Sequence, residues 1–337
     1  MNAYERFVRR MNGERVDRPP NFNIMMTFAA HHIEQPLSRY YLDFRVLCRA
    51  NLAVQSKFGL DILQAISDPY REAYDLGAEI VFPEDGLPLS RTPLLSDPKE
   101  LTRLKPIAPD QGRRMSDRLE AIRTFRQEFG GQVPIMGWVE GALAEAANLR
   151  GIGALLMDCI DRPEWLRELL EICTQVEIAF ARAQVEAGAD IIGLGDAIAS
   201  QISPQMYQEF ALPYEQRIFA AVHEMGALGR LHICGNTSHI VLPMSTSGAS
   251  IVDLDWMVDL RTAAEVIGER VVLCGNVDPV AVLLQGRPDL VRKEVEKCAS
   301  AGGRRWICAA GCEVPDGTPH ANLFAQLEAL RDIGASR

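Results

Sequence analysis

The chain lacks a surplus of positive charge. Its 35 lysines and arginines face 45 aspartates and glutamates, a formal net charge of −10 at pH 7. That excludes nucleic acid as a main partner, because phosphate binding needs a basic footprint. It argues equally against an anionic membrane surface. No apolar run approaches the ~18–20 residues of a spanning helix. The charged opening from Met1 to Pro20 holds no apolar stretch of the signal-peptide kind, so a cytoplasmic location is expected. No Gly-x-Gly-x-x-Gly follows an early strand, which weakens a dinucleotide-binding fold. Internal repeats and low-complexity tracts are missing too.

What is present is an ordinary globular composition: 337 residues, 47% hydrophobic and 24% charged. A core of that size needs no disulfides. Eight cysteines in such a chain read as buried thiols or metal ligands rather than bridges. Cys48, Cys159, Cys173 and Cys298 sit in helix-like segments among apolar neighbours, the setting of a packed thiol.

Residues 4–11 read as a short basic helix, ended by Val16-Asp17-Arg18-Pro19-Pro20. Asn21 to Met26 reads as a first buried strand, 38–58 as one long helix, and Leu60 to Leu63 and Glu79 to Phe82 as short strands. Residues 83–98, rich in proline and charge, are expected to form a mobile mouth loop. From residue 109 the rhythm is regular. Helices are expected over 112–129, 162–187, 204–225, 237–247, 260–268, 288–301 and 319–333. Strands are expected over 133–137, 189–194, 231–234, 250–254, 271–274 and 305–308. Short apolar strands alternating with amphipathic helices imply an α/β fold with a parallel sheet covered by helices. There are enough units for a closed (β/α)8 TIM barrel, a single domain over 1–337 with 1–20 as an N-terminal helical extension and linker. A doubly wound open sheet is the fallback.

Polar residues gather where these strands end. In a barrel those ends share one rim, the rim that carries chemistry. His232 and Cys234 are two apart at the end of a strand, so the strand's period of two puts both side chains on one face. An imidazole and a thiol delivered to one point suit half of a zinc site, whose catalytic form keeps a fourth position open. The remaining thiol must come from far away. Cys274 and Cys308 compete for the place but lie inside strands, where a core thiol is the ordinary reading. Cys312 follows Ala309-Ala310-Gly311, a flexible rim turn, and is favoured. The alternative reading is two packed thiols and a histidine bonded to a backbone carbonyl. Glu140, Asp196, Asp255 and Asp278 either cap the helices that follow or serve the site, and a cap is favoured for Asp278. Asn236 and Asn276 each follow a glycine, where amides often satisfy loop backbone. His320, soon after Cys312, is a further rim candidate, whereas His31, His32, His223 and His239 read as surface or packing residues. Met25, Met26 and Phe28 line a pocket or simply pack the first strand.

These motifs together resemble a family. His232-Ile233-Cys234-Gly235-Asn236, Gly275-Asn276-Val277-Asp278-Pro279, and Gly311-Cys312-Glu313-Val314-Pro315 with Thr318-Pro319 are similar to the uroporphyrinogen decarboxylase superfamily. The opening Glu14-Arg15-Val16-Asp17-Arg18-Pro19-Pro20 and Gly188-Ala189-Asp190 are similar to it as well. Within the superfamily the pattern resembles the zinc methyltransferases that work with corrinoid proteins. The decarboxylases hold porphyrinogen carboxylates with arginines after the first strand. The matching stretch here, Phe22 to His32, has no arginine, which speaks against that branch. The Trp256 that follows Asp255 is, by contrast, more decarboxylase-like.

The resemblance implies Zn2+ on His232, Cys234 and Cys312, with the fourth ligand open. It implies methyl transfer between a corrinoid such as methylcobalamin and a small molecule, either a thiol acceptor or a methoxy or methylamine donor. Asp196 and Asp255 are expected to do catalytic proton work, and Glu140, Asn236 and Asn276 to contact substrate. This chain has no Asp-x-His-x-x-Gly of the cobalamin-binding kind, so the corrinoid is expected on a separate small protein. A homodimer is compatible with all of this. The rival reading is a metal-free decarboxylase.

Overall fold

A computed structural model describes residues 1–335. Six parallel strands pair in the order Leu63–Gln64, Ile135–Glu140, Ile191–Gly195, Leu228–Ile233, Ile251–Leu254 and Val272–Cys274. Two short segments close the ring. Ile307 and Ala310 bridge in parallel to Cys274 and Val277, and Asn21 bridges in parallel to Cys308. On the other side of Asn21, its carbonyl accepts from the Asp61 amide at 2.9 Å. The result is the expected eight-stranded barrel with helices outside.

The first strand is shorter than its apolar run suggests. Beyond Asn21 the rungs are completed by side-chain amides: Ala310 N–H donates to Asn23 Oδ1 at 2.7 Å, and Gln64 Nε2 donates to the Asn23 carbonyl at 2.8 Å. The expected helix over 38–58 is broken at Asp43. That residue is extended (φ −137°, ψ 107°), and its carboxylate accepts from the Arg45 amide, so it caps a second helix, Phe44–Phe58. The expected helix over 204–225 breaks at Ala211, because Pro213 fits only the first turn of a new helix, Leu212–Glu224. Two helices, Ala142–Arg150 and Ile152–Asp161, occupy a stretch with no periodic signal. The first is buried almost all round, so it shows no polar face for a pattern to reveal. Residues 83–98 are tied down more than a mobile loop: Leu89–Ser90 pairs antiparallel with Ile80–Val81. Leu95 is buried, and its N–H donates to the Leu149 carbonyl.

Alternation along the strands divides the core in two. One set of side chains faces the helices, and the other fills the barrel, including Phe22, Ile24, Met136, Trp138, Ile191, Ile251 and Val272. Trp138 lies across the next strand. A Cβ at Gly193 would meet its ring at 2.2 Å, so only glycine admits the indole there. Helix Ala3–Met11 closes the bottom: Phe7 joins the barrel interior, Arg6 pairs with Asp61 at 2.6 Å, and Arg10 donates to the Trp306 carbonyl. The bottom is therefore sealed, and the inward positions near the C-terminal ends of the strands are left to polar groups.

Candidate metal centre

The same alternation that puts Trp138 inside also turns Arg230 and His232 inward from strand Leu228–Ile233. His232 stands opposite Asp253 in the register of the neighbouring strand. Asp253 Oδ2 lies 2.7 Å from Arg230 Nη2 and 3.1 Å from His232 Nδ1. All three are buried. A carboxylate beside Nδ1 favours the proton there, and in that tautomer Nε2 would face the thiols as a lone-pair donor. Nε2 is 2.9 Å from Cys234 Sγ, and that sulfur is 3.7 Å from Cys312 Sγ. The three donor atoms lie within 4.8 Å of one another. Cys274 and Cys308 are not among them: both are fully buried, and Cys308 is a packed thiol in contact with Gln326.

Cys312 reaches this point because Gly311 has no side chain. A Cβ there would fall 2.1 Å from the Trp256 backbone nitrogen, so the Cys312 turn lies directly on the Asp255–Trp256 segment. Asp255 fastens the other side. Its carboxylate accepts from the Gly235 amide at 2.9 Å and the Met257 amide at 3.0 Å, fixing the turn that follows Cys234. Glu313 Oε1 accepts from the Met26 and Thr27 amides at 3.1 and 2.6 Å, tying the same rim to the first helix after the barrel entrance.

Charge is distributed unevenly over the trio. Burial alone would lower the His232 pKa, but Cys234 and Asp253 outweigh it and raise it well above the ordinary value. The Cys312 thiol is brought down to about 4, first by its bond to Cys234 and then, against burial, by His232. Cys234 is pushed up by the bond to Cys312 and by burial. Burial works against the Asp253 carboxylate, yet Arg230 and His232 hold it at about 2. One imidazole nitrogen and two sulfurs, one of them poised as thiolate, form a donor set suited to zinc. Two thiolates on a tetrahedral zinc at ~2.3 Å stand about 3.8 Å apart, close to the spacing of the two sulfurs here.

The other rim residues have identifiable contacts. Glu140 accepts from Arg71 Nη2 at 2.9 Å. Asp196 is fully buried, and its Oδ1 accepts from the Ala144 amide at 3.0 Å, at the start of helix Ala142–Arg150. Asn236 Oδ1 accepts from the Ser238 amide at 3.1 Å. Asn276 commits its side-chain nitrogen to the Asp255 and Val258 carbonyls, at 3.0 and 2.7 Å. Asp278 caps as expected, accepting from the Val280 and Ala281 amides. His320 packs with Phe28, His32 and Phe58, away from the thiols' hydrogen-bond circle. Sequence reasoning passed over Asp253, Arg230 and Glu313. The available signal was a carboxylate in the apolar run Ser250-Ile251-Val252-Asp253-Leu254 and an arginine two before His232.

The family model for uroporphyrinogen decarboxylase (URO-D) matches residues 2–333. The chain belongs to that family. Methylcobamide:CoM methyltransferase MtbA of Methanosarcina mazei is 33% identical over 236 residues, covering 69% of this chain and 68% of that protein. Uroporphyrinogen decarboxylase of Prochlorococcus marinus (strain NATL2A) is 27% identical over 345 residues, covering 97% and 96%. A solved structure described as a methyltransferase from Methanosarcina mazei superposes with a TM-score of 0.90 at 27% identity, covering 99% of both chains. A B12-independent methionine synthase from Shewanella shares the fold, with a TM-score of 0.61 at 13% identity.

Proposed function

We propose that this chain is a zinc-dependent methyltransferase. It moves a methyl group between a corrinoid carried by a separate small protein and a small molecule, either a thiol acceptor or a methoxy or methylamine donor. The observation that carries the reading is the meeting of His232, Cys234 and Cys312 at the rim, with Asp253 behind the imidazole. The relatives named as methylcobamide:CoM methyltransferases support the corrinoid part.

His232 Nε2 and the two sulfurs would hold the metal. When bound, zinc supplies Lewis acidity, which favours the thiolate of a thiol substrate or eases departure of a donor's leaving group. The chain's own residues set the stage. Asp253 keeps the proton on His232 Nδ1. Asp255 holds the Gly235 turn and thereby the aim of Cys234. Asp196 anchors the Gly141 turn beside the His232 strand. These contacts support positioning parts for both aspartates ahead of direct proton transfer. Asn236 keeps its side-chain N–H2 for a substrate oxygen, and Glu140 presents a carboxyl whose pKa burial raises to about 8 despite Arg71. Asn276 has spent its donors on the backbone, so its part is to hold the loop.

The second reading, a metal-free decarboxylase, draws on the relative from Prochlorococcus, which aligns over nearly the whole chain. The two separate on metal content. Purified wild type should carry one zinc per chain and demethylate methylcobalamin with at least one compound in a panel of thiols and methoxylated molecules. Cys312→Ala should lose both properties. A Cys312→Ala protein with full zinc and full rate removes the site assignment, and a zinc-free active decarboxylase selects the rival.

A further inference from the structure

Three glutamates outside the thiol centre meet where no solvent reaches. Glu72 comes from helix Arg71–Asp75, Glu145 from Ala142–Arg150, and Glu177 from the middle of Pro163–Ala187. Each is 0% exposed, and one oxygen of each lies within 4.8 Å of the other two. Their partners fall short. Arg71 reaches Glu72 at 3.3 Å but also serves Glu140 at 2.9 Å. Asn148 donates to Glu145 Oε2 at 3.1 Å. Among the described residues, Glu72 Oε2, Glu145 Oε1 and both oxygens of Glu177 have no hydrogen-bond partner. A sealed carboxyl with neither oxygen satisfied, directed at two more acids, is a rare and costly arrangement.

Such a cluster is relieved by protons or by a cation. Protons neutralise buried acids but leave oxygens without donors unsatisfied. Burial, with repulsion from the neighbouring acids, raises Glu145 and Glu177 well above the ordinary carboxylate range, so without a cation they hold protons. Glu72, Glu145 and Glu177 crowd one space, and Arg71, the guanidinium in reach, is shared with Glu140. A divalent ion would displace the protons and satisfy the oxygens left without partners.

The geometry points to an internal site for a hard divalent cation of the Mg2+, Mn2+ or Ca2+ class, held by Glu72, Glu145 and Glu177. Oxygen-only donors select that class, as the imidazole and sulfurs of the thiol centre select a softer one. The site fastens the two helices that follow strands Leu63–Gln64 and Ile135–Glu140 to the long helix Pro163–Ala187. It thereby braces the Arg71–Glu140 pair at the rim, and its binding energy counts as folding energy.

The test is a Mn2+ titration of the full chain, first treated with chelator and then reloaded with zinc, followed by electron paramagnetic resonance and thermal unfolding. Wild type should take up one Mn2+ per chain beyond its zinc, and Tm should rise with added Mn2+, Mg2+ or Ca2+. Cys312→Ala should keep this uptake, whereas Glu177→Gln should lose it. If Glu177→Gln does not fold, Glu145→Gln supplies the same comparison. A wild type that binds no Mn2+ and shows no change in Tm overturns the site and leaves the acids holding protons. So does a Glu177→Gln protein that binds Mn2+ like wild type. Either result leaves the thiol centre untouched, because zinc content and methyl transfer are measured separately.

Discussion

The thiol centre and the glutamate cluster are both groups of three potential ligands, and they are built in opposite ways. His232 sits on a strand, and Cys234 and Cys312 on the turns that leave two strands, so the barrel itself sets where they point. Behind them stands a relay of fixed charges, Arg230 to Asp253 to His232. The glutamates come from three helices outside the barrel, and among the described residues Arg71 and Asn148 support them. In the first group, each buried charge has its counter-charge before any ion arrives. In the second the imbalance is internal, so folding and occupancy are linked. A centre of the first kind should tolerate loss of its ion, whereas one of the second kind should depend on what neutralises it.

Breaking the thiol centre at a ligand should have the largest effect. Cys234→Ser replaces the sulfur that contacts both His232 and Cys312. Zinc content and methyl-transfer rate should fall by more than the ~10–100-fold that loss of an outer partner costs, with little change in unfolding temperature. Elemental analysis and the methylcobalamin assay check the first part, and thermal unfolding checks the second.

Asp253→Asn removes charge from the relay and keeps its shape. Metal affinity should drop by about 10–100-fold. Unlike Cys234→Ser, this change should also destabilise the chain, because Arg230 is left buried without its counter-ion. Breaking a buried pair in this way costs on the order of 3–5 kcal/mol. Competition with a zinc chelator and urea unfolding measure the two effects. An Asp253→Asn protein with unchanged zinc affinity would show that the carboxylate only neutralises Arg230.

Glu177→Gln sharpens the contrast through its sign. In chelator-treated protein the substitution takes one acid out of the crowded cluster and should leave stability unchanged or slightly raised. In protein saturated with Mn2+ it removes a ligand and should destabilise relative to wild type. Asp253→Asn should lower stability under both conditions. Urea unfolding with and without Mn2+ reads the difference, and a Glu177→Gln protein destabilised under both conditions would place both groups in the same class.

The two regions also differ in how far the sequence reveals them. Alternation of side chains along a strand is a rule of local geometry, so His232 and Cys234 could be placed on one face from their spacing. The rim turn after Ala309-Ala310-Gly311 singled out Cys312 from its rivals. Asp253 stayed hidden because its meaning lies in the register between two strands, which no single segment encodes. The glutamates were hidden more deeply. Glu145 lies in a helix with no polar face, and nothing in the local sequence marks Glu72 and Glu177 apart from other helix acids until the helices pack. The barrel was legible because its repeat is regular. The breaks at Asp43 and Ala211 were not, since each depends on one residue's backbone preference inside an otherwise helical pattern.

A third acidic group lies between these extremes, and its expected effect is confined to one pH window. Tyr207 Oη donates to Glu215 Oε2 at 2.6 Å, and the Asp196 carboxyl lies beside Glu215. Burial raises the Glu215 carboxyl from 4.5 to about 7, against the bonds from Tyr207 and Asp196, which lower it. A proton kept at this pair would relieve it without an ion. The folded chain therefore keeps a proton that the unfolded chain releases above its ordinary value. The stability this gives is fully present below about pH 4.5 and is lost as pH rises through about 7. The loss across that window should be on the order of 3 kcal/mol. Glu215→Gln removes the titration, so the difference in stability between wild type and variant should shift across this window and level off above it. Urea unfolding at a series of pH values measures that difference. If it stays constant from about pH 4 to about pH 8, the proton is not held at Glu215, and the Asp196 pair would have to be grouped with the ion-dependent glutamates instead.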